Sequence, residues 1–279
     1  MVAKQLAVLG SPISGSKSPA IHAAAYKELG LDWQYERHQV DAEGFKAFIE
    51  SNPQLYGLSL TMPLKTQAYE YALSRDAKLD AISVALHSVN TLVNFGDRLE
   101  AFNTDVYGVT EALRSAEVPQ PSTLAILGSG ATSRSVLMGV LDYFDSVDRI
   151  SVFSRNADAA AETLALAQSL SPQAEIQWLP LEAAADFGGA DLTCNTLPGD
   201  IAADIEVDVP FGGGWLFDVS YNPWPSQLAL AWPESNRISG FEMLLNQALA
   251  QVRIFVHGDP SATLDNEGHV FAAMRAACQ

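Results

Sequence analysis

Cysteine, lysine and arginine are scarce in this 279-residue chain. It contains 2 cysteines, and 16 lysines and arginines are outnumbered by 33 aspartates and glutamates, for a formal net charge of −17 at pH 7. Nucleic-acid backbones are bound by clustered cationic side chains, so this balance argues against a nucleic-acid partner. Cys194 lies in an apolar run typical of a buried strand and Cys278 stands apart. This usage predicts no disulfide framework and favours a reducing cytoplasm.

Long apolar runs are missing as well. No segment reaches the roughly 18 consecutive apolar residues that indicate a membrane span, and no membrane partner is expected. The first ten residues contain a short apolar run without a cleavage region, which predicts a first strand entering a turn and not a signal peptide. The five histidines show no metal-ligand spacing, and no metal site is predicted.

What is present is an ordinary globular composition on a chain longer than one typical domain. Hydrophobic residues make up 48% of the sequence, enough to build a core without disulfides. Strand-like and helix-like segments alternate, and a second such series starts after the proline-rich stretch 118–122. We therefore predict two α/β domains with mostly parallel sheets, the second of them a Rossmann-type dinucleotide-binding domain. The predicted domains are residues 1–104, completed by helices from about residue 240 to 279, and residues 105–239.

The individual segments are predicted as follows. Strands are expected at residues 6–9, 33–40, 58–60, 89–94, 123–127, 149–154, 175–178, 191–195 and 215–218. Helices are expected at residues 19–29, 42–51, 65–75, 132–143, 158–169 and 242–256, and a turn at 95–97. The last helix is apolar enough that we expect it to cross back and pack on the first domain.

A glycine-rich turn opens the second series. It lies between a predicted strand and a predicted helix, as in a dinucleotide-binding fingerprint, and comprises Gly128, Ser129, Gly130, Ala131 and Thr132. The glycines permit a tight turn and close approach of the backbone to a pyrophosphate, and the helix N-terminus supplies N–H donors.

The next strand ends at Ser154 and Arg155, where NAD-binding proteins commonly have an acidic residue. A guanidinium would instead attract the 2′-phosphate of NADP, so NADP is the predicted cofactor. Asp158 is interpreted as a first-turn residue that complements the helix dipole.

Three polar clusters in the first part of the chain have no obvious structural role. They are the serine-rich loop 10–19, the segment 57–65 and the pair of segments 89–92 and 102–105. Each is predicted at or near the C-terminal end of a parallel strand, where open α/β sheets bind ligands. Their hydroxyls, amide, amine and carboxylate suit a small polyhydroxy acid.

At these residues the chain resembles the shikimate dehydrogenase family, in an actinobacterial-like form of shikimate 5-dehydrogenase. The resemblance runs from Leu9 to about Gly258 and includes a Ser-Lys-Ser-Pro loop and a Thr-x-Pro-x-Lys motif in the family's order. It implies NADP-dependent, reversible reduction of 3-dehydroshikimate to shikimate, in aromatic amino acid biosynthesis. The reaction is expected in a cleft between the domains, in a monomer or homodimer.

The resemblance also implies roles for single residues. Lys65 and Asp105 would be the catalytic pair, with the formal acid left open between them. Ser16 and Ser18 would bind the substrate carboxylate, and Asn90 would contact the hydroxyls. The remaining substrate residues would be Thr61, Tyr221 and Gln247, and the cofactor would also contact Ser154 and Gly240.

Several residues depart from the family pattern, and some alternatives stay open. Ser59 replaces a common asparagine, Val106 and Ala131 replace glycines, and Ala159 replaces a second basic residue, which weakens the NADP prediction. Asp105 could also cap a helix, and Tyr221 could belong to a core. The alternatives for function are an NAD-linked quinate/shikimate dehydrogenase and a non-catalytic NADP-binding regulator.

Overall fold

The computed structural model describes residues 3–94, 98–184, 189–198, 201–202 and 214–278. The chain divides into two compact units. The first comprises Met1–Thr104 and Gln247–Gln279, and the second comprises Asp105–Asn246. The predicted turn at residues 95–97 lies outside the described residues.

The first unit contains a six-stranded mixed sheet in the order β2-β1-β3-β5-β6-β4. β1, β2 and β3 are parallel, β5 runs antiparallel to β3 and β6, and β4 is parallel to β6. The elements are β1 (Gln5–Gly10), α1 (Ser18–Glu28), β2 (Gln34–Gln39), α2 (Phe45–Ser51), β3 (Leu55–Leu60), α3 (Lys65–Ser74), β4 (Lys78–Leu79), α4 (Ala81–Leu86), β5 (Thr91–Asn94) and β6 (Leu99–Phe102).

The second unit contains a six-stranded sheet that is parallel throughout, in the order β12-β11-β10-β7-β8-β9. Counted from its own first strand, this is the 3-2-1-4-5-6 order of a Rossmann-type fold, which confirms the predicted fold class. The elements are α5 (Asp105–Ser115), β7 (Thr123–Leu127), α6 (Ala131–Tyr143), β8 (Arg149–Ser154), α7 (Ala157–Leu170), β9 (Glu175–Pro180), β10 (Leu192–Asn195), β11 (Trp215–Asp218) and β12 (Arg237–Ser239).

The chain returns to the first unit within one helix. α8 (Gly240–His257) follows β12 and belongs to the first unit from Gln247 onward, and α9 (Glu267–Ala276) comes last. A return at about residue 240 is predicted from the sequence, whereas the second unit retains residues 240–246.

Local sequence explains where several helices begin. Pro19 stands in the first turn of α1, where a missing backbone N–H leaves no hydrogen bond unmade. The carboxylate of Asp80 accepts a hydrogen bond from the backbone N–H of Ser83 at 2.7 Å and caps α4. The side chain of Asn156 caps α7 in the same way, with the N–H of Ala159 at 2.8 Å.

The core of the second unit is built on strands that are nearly continuous in apolar residues. Residues 124–127 of β7 are all at most 1% exposed, as expected for a central parallel strand covered on both faces. The buried-strand interpretation of Cys194 is confirmed, since it is fully buried in β10 and both cysteines are free. Burial raises the pKa of the Cys194 thiol, which therefore stays protonated at neutral pH.

Several elements are absent from the sequence prediction: β4, α4, β6, α5 and β12. The last helix, α9, falls within the helices expected from about residue 240 to 279, although its own bounds were not predicted. β4 and β12 are two and three residues long, too short to show a period. β6 contains Glu100, which is 2% exposed and forms ion pairs with Arg98 at 2.6 Å and Lys78 at 3.6 Å. From sequence alone, a glutamate in such a short segment suggests an exposed position. The cationic partners that allow its burial cannot be identified from the hydrophobic pattern.

Helices α5 and α6 pack so closely that glycine is required at their contact. A Cβ built on Gly139 would lie 2.7 Å from Cβ of Val109 and 3.1 Å from the carbonyl oxygen of Val106. We expect Gly139→Ala to lower the free energy of unfolding by about 1–3 kcal/mol, because the helices must separate to admit the methyl group. Urea denaturation measures the change.

Gly268→Ala is the matched control for this prediction. Gly268 also lies in a helix, α9, but a Cβ built on it meets nothing within 4 Å. The control should be neutral or stabilising by up to about 1 kcal/mol, as expected from helix propensity. A Gly139→Ala protein as stable as the wild type would contradict the packing argument.

Candidate active site

Polar residues of the first unit gather at one edge of its sheet. Strands β1, β2 and β3 end there with Gly10, Gln39 and Leu60, and the register places Phe102 of β6 at the same edge. The sequence predicts Asn90 near the end of a parallel strand, and this prediction is wrong because β5 is antiparallel and Asn90 precedes it. The reversal itself brings Asn90 to the edge, since an antiparallel strand starts where its neighbours end.

The two serines predicted to bind a carboxylate lie in the loop between β1 and α1. Ser16 is half-buried, and its Oγ accepts a hydrogen bond from the backbone N–H of Ser18 at 3.3 Å. Ser18 is the first residue of α1 and is 8% exposed. The loop is held to the segment after β3, because the N–H of Ser11 donates to the carbonyl of Met62 at 2.9 Å. Both hydroxyls thus lie at a helix start, where backbone N–H groups favour an anion.

Thr61 and Lys65 bracket the turn from β3 into α3. The backbone N–H of Thr61 donates to the carbonyl of Leu9 at 3.0 Å, and its methyl group occupies the space that a Cβ on Gly10 would need. Lys65 is the first residue of α3, and its carbonyl accepts from the N–H of Val89 at 3.0 Å. The start of α3 is therefore fixed one residue away from Asn90.

The structure connects two predicted substrate residues, Asn90 and Gln247, through Thr104. Asn90 Nδ2 donates to Thr104 Oγ1 at 3.0 Å, and Asn90 Oδ1 accepts from the backbone N–H of Thr104 at 2.9 Å. Thr104 Oγ1 donates in turn to Gln247 Oε1 at 3.5 Å. All three residues are buried. Thr104 belongs to a cluster noted in the sequence, without a role assigned there.

Beside these residues lies a buried polar group that the sequence analysis does not assign. Gln251 Oε1 accepts from Ser59 Oγ at 2.8 Å and lies 3.3 Å from His22 Nε2, and the hydroxyl of Tyr35 donates to Ser59 Oγ at 2.7 Å. One signal could have found it: Gln247 and Gln251 stand four residues apart on an apolar helix, which puts two amides on one face.

The phosphate-binding turn of the second unit has the predicted location between β7 and α6. Gly128 has φ of 106°, which favours glycine, and its N–H donates to the carbonyl of Phe153 at 2.8 Å. Gly130 precedes α6 without a side-chain cap, and a Cβ built there would meet nothing within 4 Å. The open space at Gly130 and the lack of a side-chain cap from this residue fit a pyrophosphate at the start of α6.

Around this turn, hydroxyls join the neighbouring elements. Ser133 stands at the third glycine position of the usual fingerprint and is 1% exposed. Its Oγ lies 2.6 Å from Thr196 Oγ1, within hydrogen-bond distance. The carbonyl of Ser129 accepts from Thr163 Oγ1 at 3.2 Å. Ala131 and Thr132 begin α6 and are half-buried.

At the end of β8, the two predicted cofactor residues differ in their surroundings. Ser154 is 3% exposed, and its hydroxyl donates to the carbonyl of Asn156 at 2.6 Å and accepts from Trp178 Nε1 at 3.0 Å. The hydroxyl proton of Ser154 is thus already donated to a group of the protein itself. Arg155 is exposed directly after the strand, where a 2′-phosphate could be reached. Asp158 lies in the first turn of α7, as the sequence predicts.

Tyr221 and Gly240 stand after the last strands of the second unit. Tyr221 is half-buried three residues past β11, in a segment shaped by Asp218, which accepts from Asn195 Nδ2 at 2.9 Å and from the N–H of Ser220 at 3.0 Å. The backbone of Val219 fills the space that a Cβ on Gly240 would need, so this glycine has a packing reason of its own.

Asp105 is 4% exposed and is the first residue of α5. Its carboxylate thus stands in the first turn of the helix, where a negative charge is favourable, and not at the cap position before it.

Among the residues that the structure describes, no group of three or more His, Cys, Asp or Glu could hold a metal ion. None of the helices described is long and apolar enough to cross a membrane.

Comparison with known proteins identifies the family. Residues 8–92 match the family model for the shikimate dehydrogenase substrate binding domain. The chain is 33% identical to the shikimate dehydrogenase of Mycobacterium tuberculosis, whose crystal structure matches with a TM-score of 0.79 over 98% of this chain and 99% of that one. This chain belongs to the shikimate dehydrogenase family.

Two further relatives agree with this membership. The shikimate 5-dehydrogenase of Thermus thermophilus, solved in complex with NADP(H) and shikimate, is 26% identical with a TM-score of 0.73 over 98% of this chain and 99% of that one. The shikimate dehydrogenase (NADP(+)) of Methanosphaera stadtmanae is 26% identical over 266 residues, which cover 91% of this chain and 92% of that protein. The predicted shikimate dehydrogenase resemblance is confirmed, while the residue roles stay predictions.

The buried His22 of this shikimate dehydrogenase family member makes its stability depend on pH. Burial lowers the pKa of His22 to about 3, against a weaker opposing effect of the hydrogen bond to Gln251. In the unfolded chain His22 has the ordinary histidine pKa of about 6.5. Between about pH 6.5 and pH 3, His22 is therefore protonated in the unfolded chain and neutral in the folded chain. Stability associated with His22 is complete above this window and is lost as the pH falls through it.

We expect the free energy of unfolding to fall by about 2 kcal/mol more between pH 7 and pH 5 in the wild type than in His22→Gln. Glutamine does not titrate, so the carboxylates common to both proteins cancel in the comparison. Urea denaturation at the two pH values gives the difference. Equal pH dependence in the two proteins would show that His22 is not held neutral.

Proposed function

We propose that this protein reduces the ketone of 3-dehydroshikimate to shikimate with NADPH, reversibly, in aromatic amino acid biosynthesis. The proposal rests on the polar edge of the first unit, which carries Thr61, Lys65 and Asn90 in the family's order and is part of the matched substrate-binding domain. The relatives named for NADP and shikimate support the same cofactor and substrate.

On the substrate side, the first unit supplies hydroxyls and amides around a carboxylate site. Ser16 and Ser18 bind the carboxylate at the start of α1, where N–H groups add favourable partial charge. Thr61 and Asn90 contact ring hydroxyls at the sheet edge, together with Gln247, which Thr104 holds by a hydrogen bond. Tyr221 is the remaining proposed substrate residue.

On the cofactor side, the turn that begins at Gly128 binds the pyrophosphate of NADP through the backbone N–H groups of residues 129–132. Arg155, exposed at the end of β8, pairs with the 2′-phosphate through its planar guanidinium. Ser154 shapes the end of the strand through its bonds to Asn156 and Trp178, and Gly240 allows α8 to start against Val219.

The chemistry needs a proton donor and stabilisation of negative charge on the reacting oxygen. The bound dinucleotide supplies the hydride. Lys65 donates the proton to the developing alkoxide and stabilises its charge through the same ammonium group. Asp105 shares the proton transfer as the second catalytic residue. A regulator that only bound NADP would have no need of such a pair, so an enzyme is favoured.

Two aspects of the protein remain predictions from the sequence. The cysteine usage favours the cytoplasm. The assembly is expected to be a monomer or a homodimer.

Spectrophotometric assays of shikimate oxidation with NADP⁺ and NAD⁺, and of quinate as alternative substrate, test the function. We expect turnover of shikimate with NADP⁺ and a lower kcat/KM with NAD⁺. Arg155→Ala should raise KM for NADP⁺ about 10- to 100-fold with little change for NAD⁺, because only the former has the 2′-phosphate. Equal or better use of NAD⁺ by the wild type would favour the NAD-linked alternative.

Arg149→Ala is the matched control for Arg155, since Arg149 is exposed at the other end of the same strand and pairs with Glu175 at 3.0 Å. Its kinetics should be those of the wild type. A wild-type protein that binds NADP⁺ but oxidises neither shikimate nor quinate would favour the non-catalytic regulator.

Lys65→Ala should lower kcat by about 100- to 10,000-fold, the usual contribution of a positioned acid–base group, while shikimate affinity changes little. Single-turnover kinetics and equilibrium binding of shikimate separate the two effects. Lys46→Ala, at an exposed lysine of α2, is the control and should retain full turnover. Near-normal turnover of Lys65→Ala would remove the catalytic role.

A further inference from the structure

A continuous group of buried hydrogen bonds runs from α1 to the substrate edge of the first unit. Gln251 of α8 is at its centre and is 1% exposed. Its amide makes bonds to Ser59 Oγ at 2.8 Å and Thr91 Oγ1 at 2.9 Å, and to the carbonyl oxygen of Asn90 at 3.2 Å, while His22 Nε2 lies 3.3 Å away. We call these residues, with Tyr26 and Tyr35, the Gln251 network.

The direction of every bond at Gln251 follows from one backbone group. The carbonyl of Asn90 can only accept, so Gln251 must present Nε2 to it, and its Oε1 must face Ser59 and His22. Oε1 can only accept as well, so His22 carries its proton on Nε2. His22 Nδ1, 3.2 Å from the hydroxyl of Tyr26, then accepts from that hydroxyl.

The donor and acceptor roles are also fixed in the hydrogen bonds that lead from Gln251 to Asn90. Thr91 Oγ1 accepts from Gln251 Nε2 and therefore gives its own proton to Asn90 Oδ1, at 2.8 Å. Asn90 Oδ1 also accepts from the backbone N–H of Thr104, which leaves Nδ2 directed to Thr104 Oγ1 at 3.0 Å. Gln251 thus holds Asn90 at two points, the main-chain carbonyl directly and the side-chain oxygen through Thr91.

The far side of the network is fixed by packing. The ring of His22 stacks on Tyr35 with 4.0 Å between centroids and 5° between planes, and the hydroxyl of Tyr35 donates to Ser59. His22 and Ser59 are at most 5% exposed, so water does not compete for these bonds. The acceptor end of Gln251 therefore has little freedom to turn.

We propose that Gln251 is a positioning residue for substrate binding, which sets the place and orientation of the Asn90 amide and is itself fixed by Ser59 and His22. The proposal rests on the proposed function, in which Asn90 contacts hydroxyls of the substrate. Ser59 contributes to this arrangement, because its hydroxyl donates to Gln251 Oε1 and accepts from the hydroxyl of Tyr35.

Gln251→Met tests the role, because methionine keeps the length of the side chain and removes the donor and the acceptor. We expect KM for shikimate to rise about tenfold, with KM for NADP⁺ and kcat within about threefold of wild type, since only substrate placement changes. Gln177→Met is the matched control, a half-buried glutamine of β9 bonded to Ser151 at 2.9 Å, and it should leave both KM values unchanged.

A double-mutant cycle asks whether Gln251 acts through Asn90. In an Asn90→Ala background, Gln251→Met should cause little further rise in KM for shikimate, since the amide that it positions is gone. An equal rise in both backgrounds would overturn the proposal. Should Gln251→Met fail to fold, the cycle is run with Ser59→Ala, which removes the donor to Oε1 and is expected to show the same dependence on Asn90.

A crystal structure of Gln251→Met gives a readout that does not depend on turnover. We expect the Asn90 amide to shift from its position beside Thr104, and an unchanged Nδ2–Oγ1 distance of 3.0 Å would overturn the proposal. A wild-type protein without shikimate turnover would count against the proposed function, whereas normal turnover with an additive cycle would count against the positioning role alone.

Discussion

The backbone of Asn90 joins three strands of the first unit at the edge where its polar residues gather. The N–H donates to the carbonyl of Phe102 at 3.1 Å, and the carbonyl accepts from the N–H of Leu60 at 2.8 Å. Because β5 runs against both neighbours, these bonds align the start of β5 with the ends of β3 and β6. A shift of one residue in this pairing would turn the Asn90 side chain to the other face, so the substrate side of the site depends on the register.

Much of the second unit could be predicted from local pattern. Its strands are short apolar runs bounded by turns, and Gly128 marks a turn whose positive φ explains the residue. The sheet of the first unit was harder to predict, because the residues of β5 do not determine its direction. The segment Thr91–Asn94 could pair with a parallel or an antiparallel neighbour equally well. Glu100 shows the same limit, since its burial in β6 depends on Lys78 and Arg98 and not on its own type.

For the site, motif residues were found because their neighbours in sequence identify them, as with Thr61 and Lys65. The Gln251 network was missed because its members meet only in the fold: Gln251 lies 192 residues from Ser59 and 229 from His22. A histidine in isolation suggests a metal ligand or an acid–base group, but the low pKa that burial gives His22 makes it a neutral hydrogen-bonding ring. Such a role depends on the partners that enclose the ring, which no local pattern contains.

The first unit is assembled from both ends of the polypeptide, and this affects its folding during synthesis on the ribosome. Residues 105–246 are contiguous and can fold as soon as they emerge, whereas Ser59 and His22 must wait for Gln251 to be translated. Until then the nascent N-terminal segment lacks Gln251 and also Phe255, whose ring packs so close to Gly57 that a Cβ built on this glycine would lie 2.5 Å from Cε1. The ribosome therefore completes the residues of the second unit before those of the first.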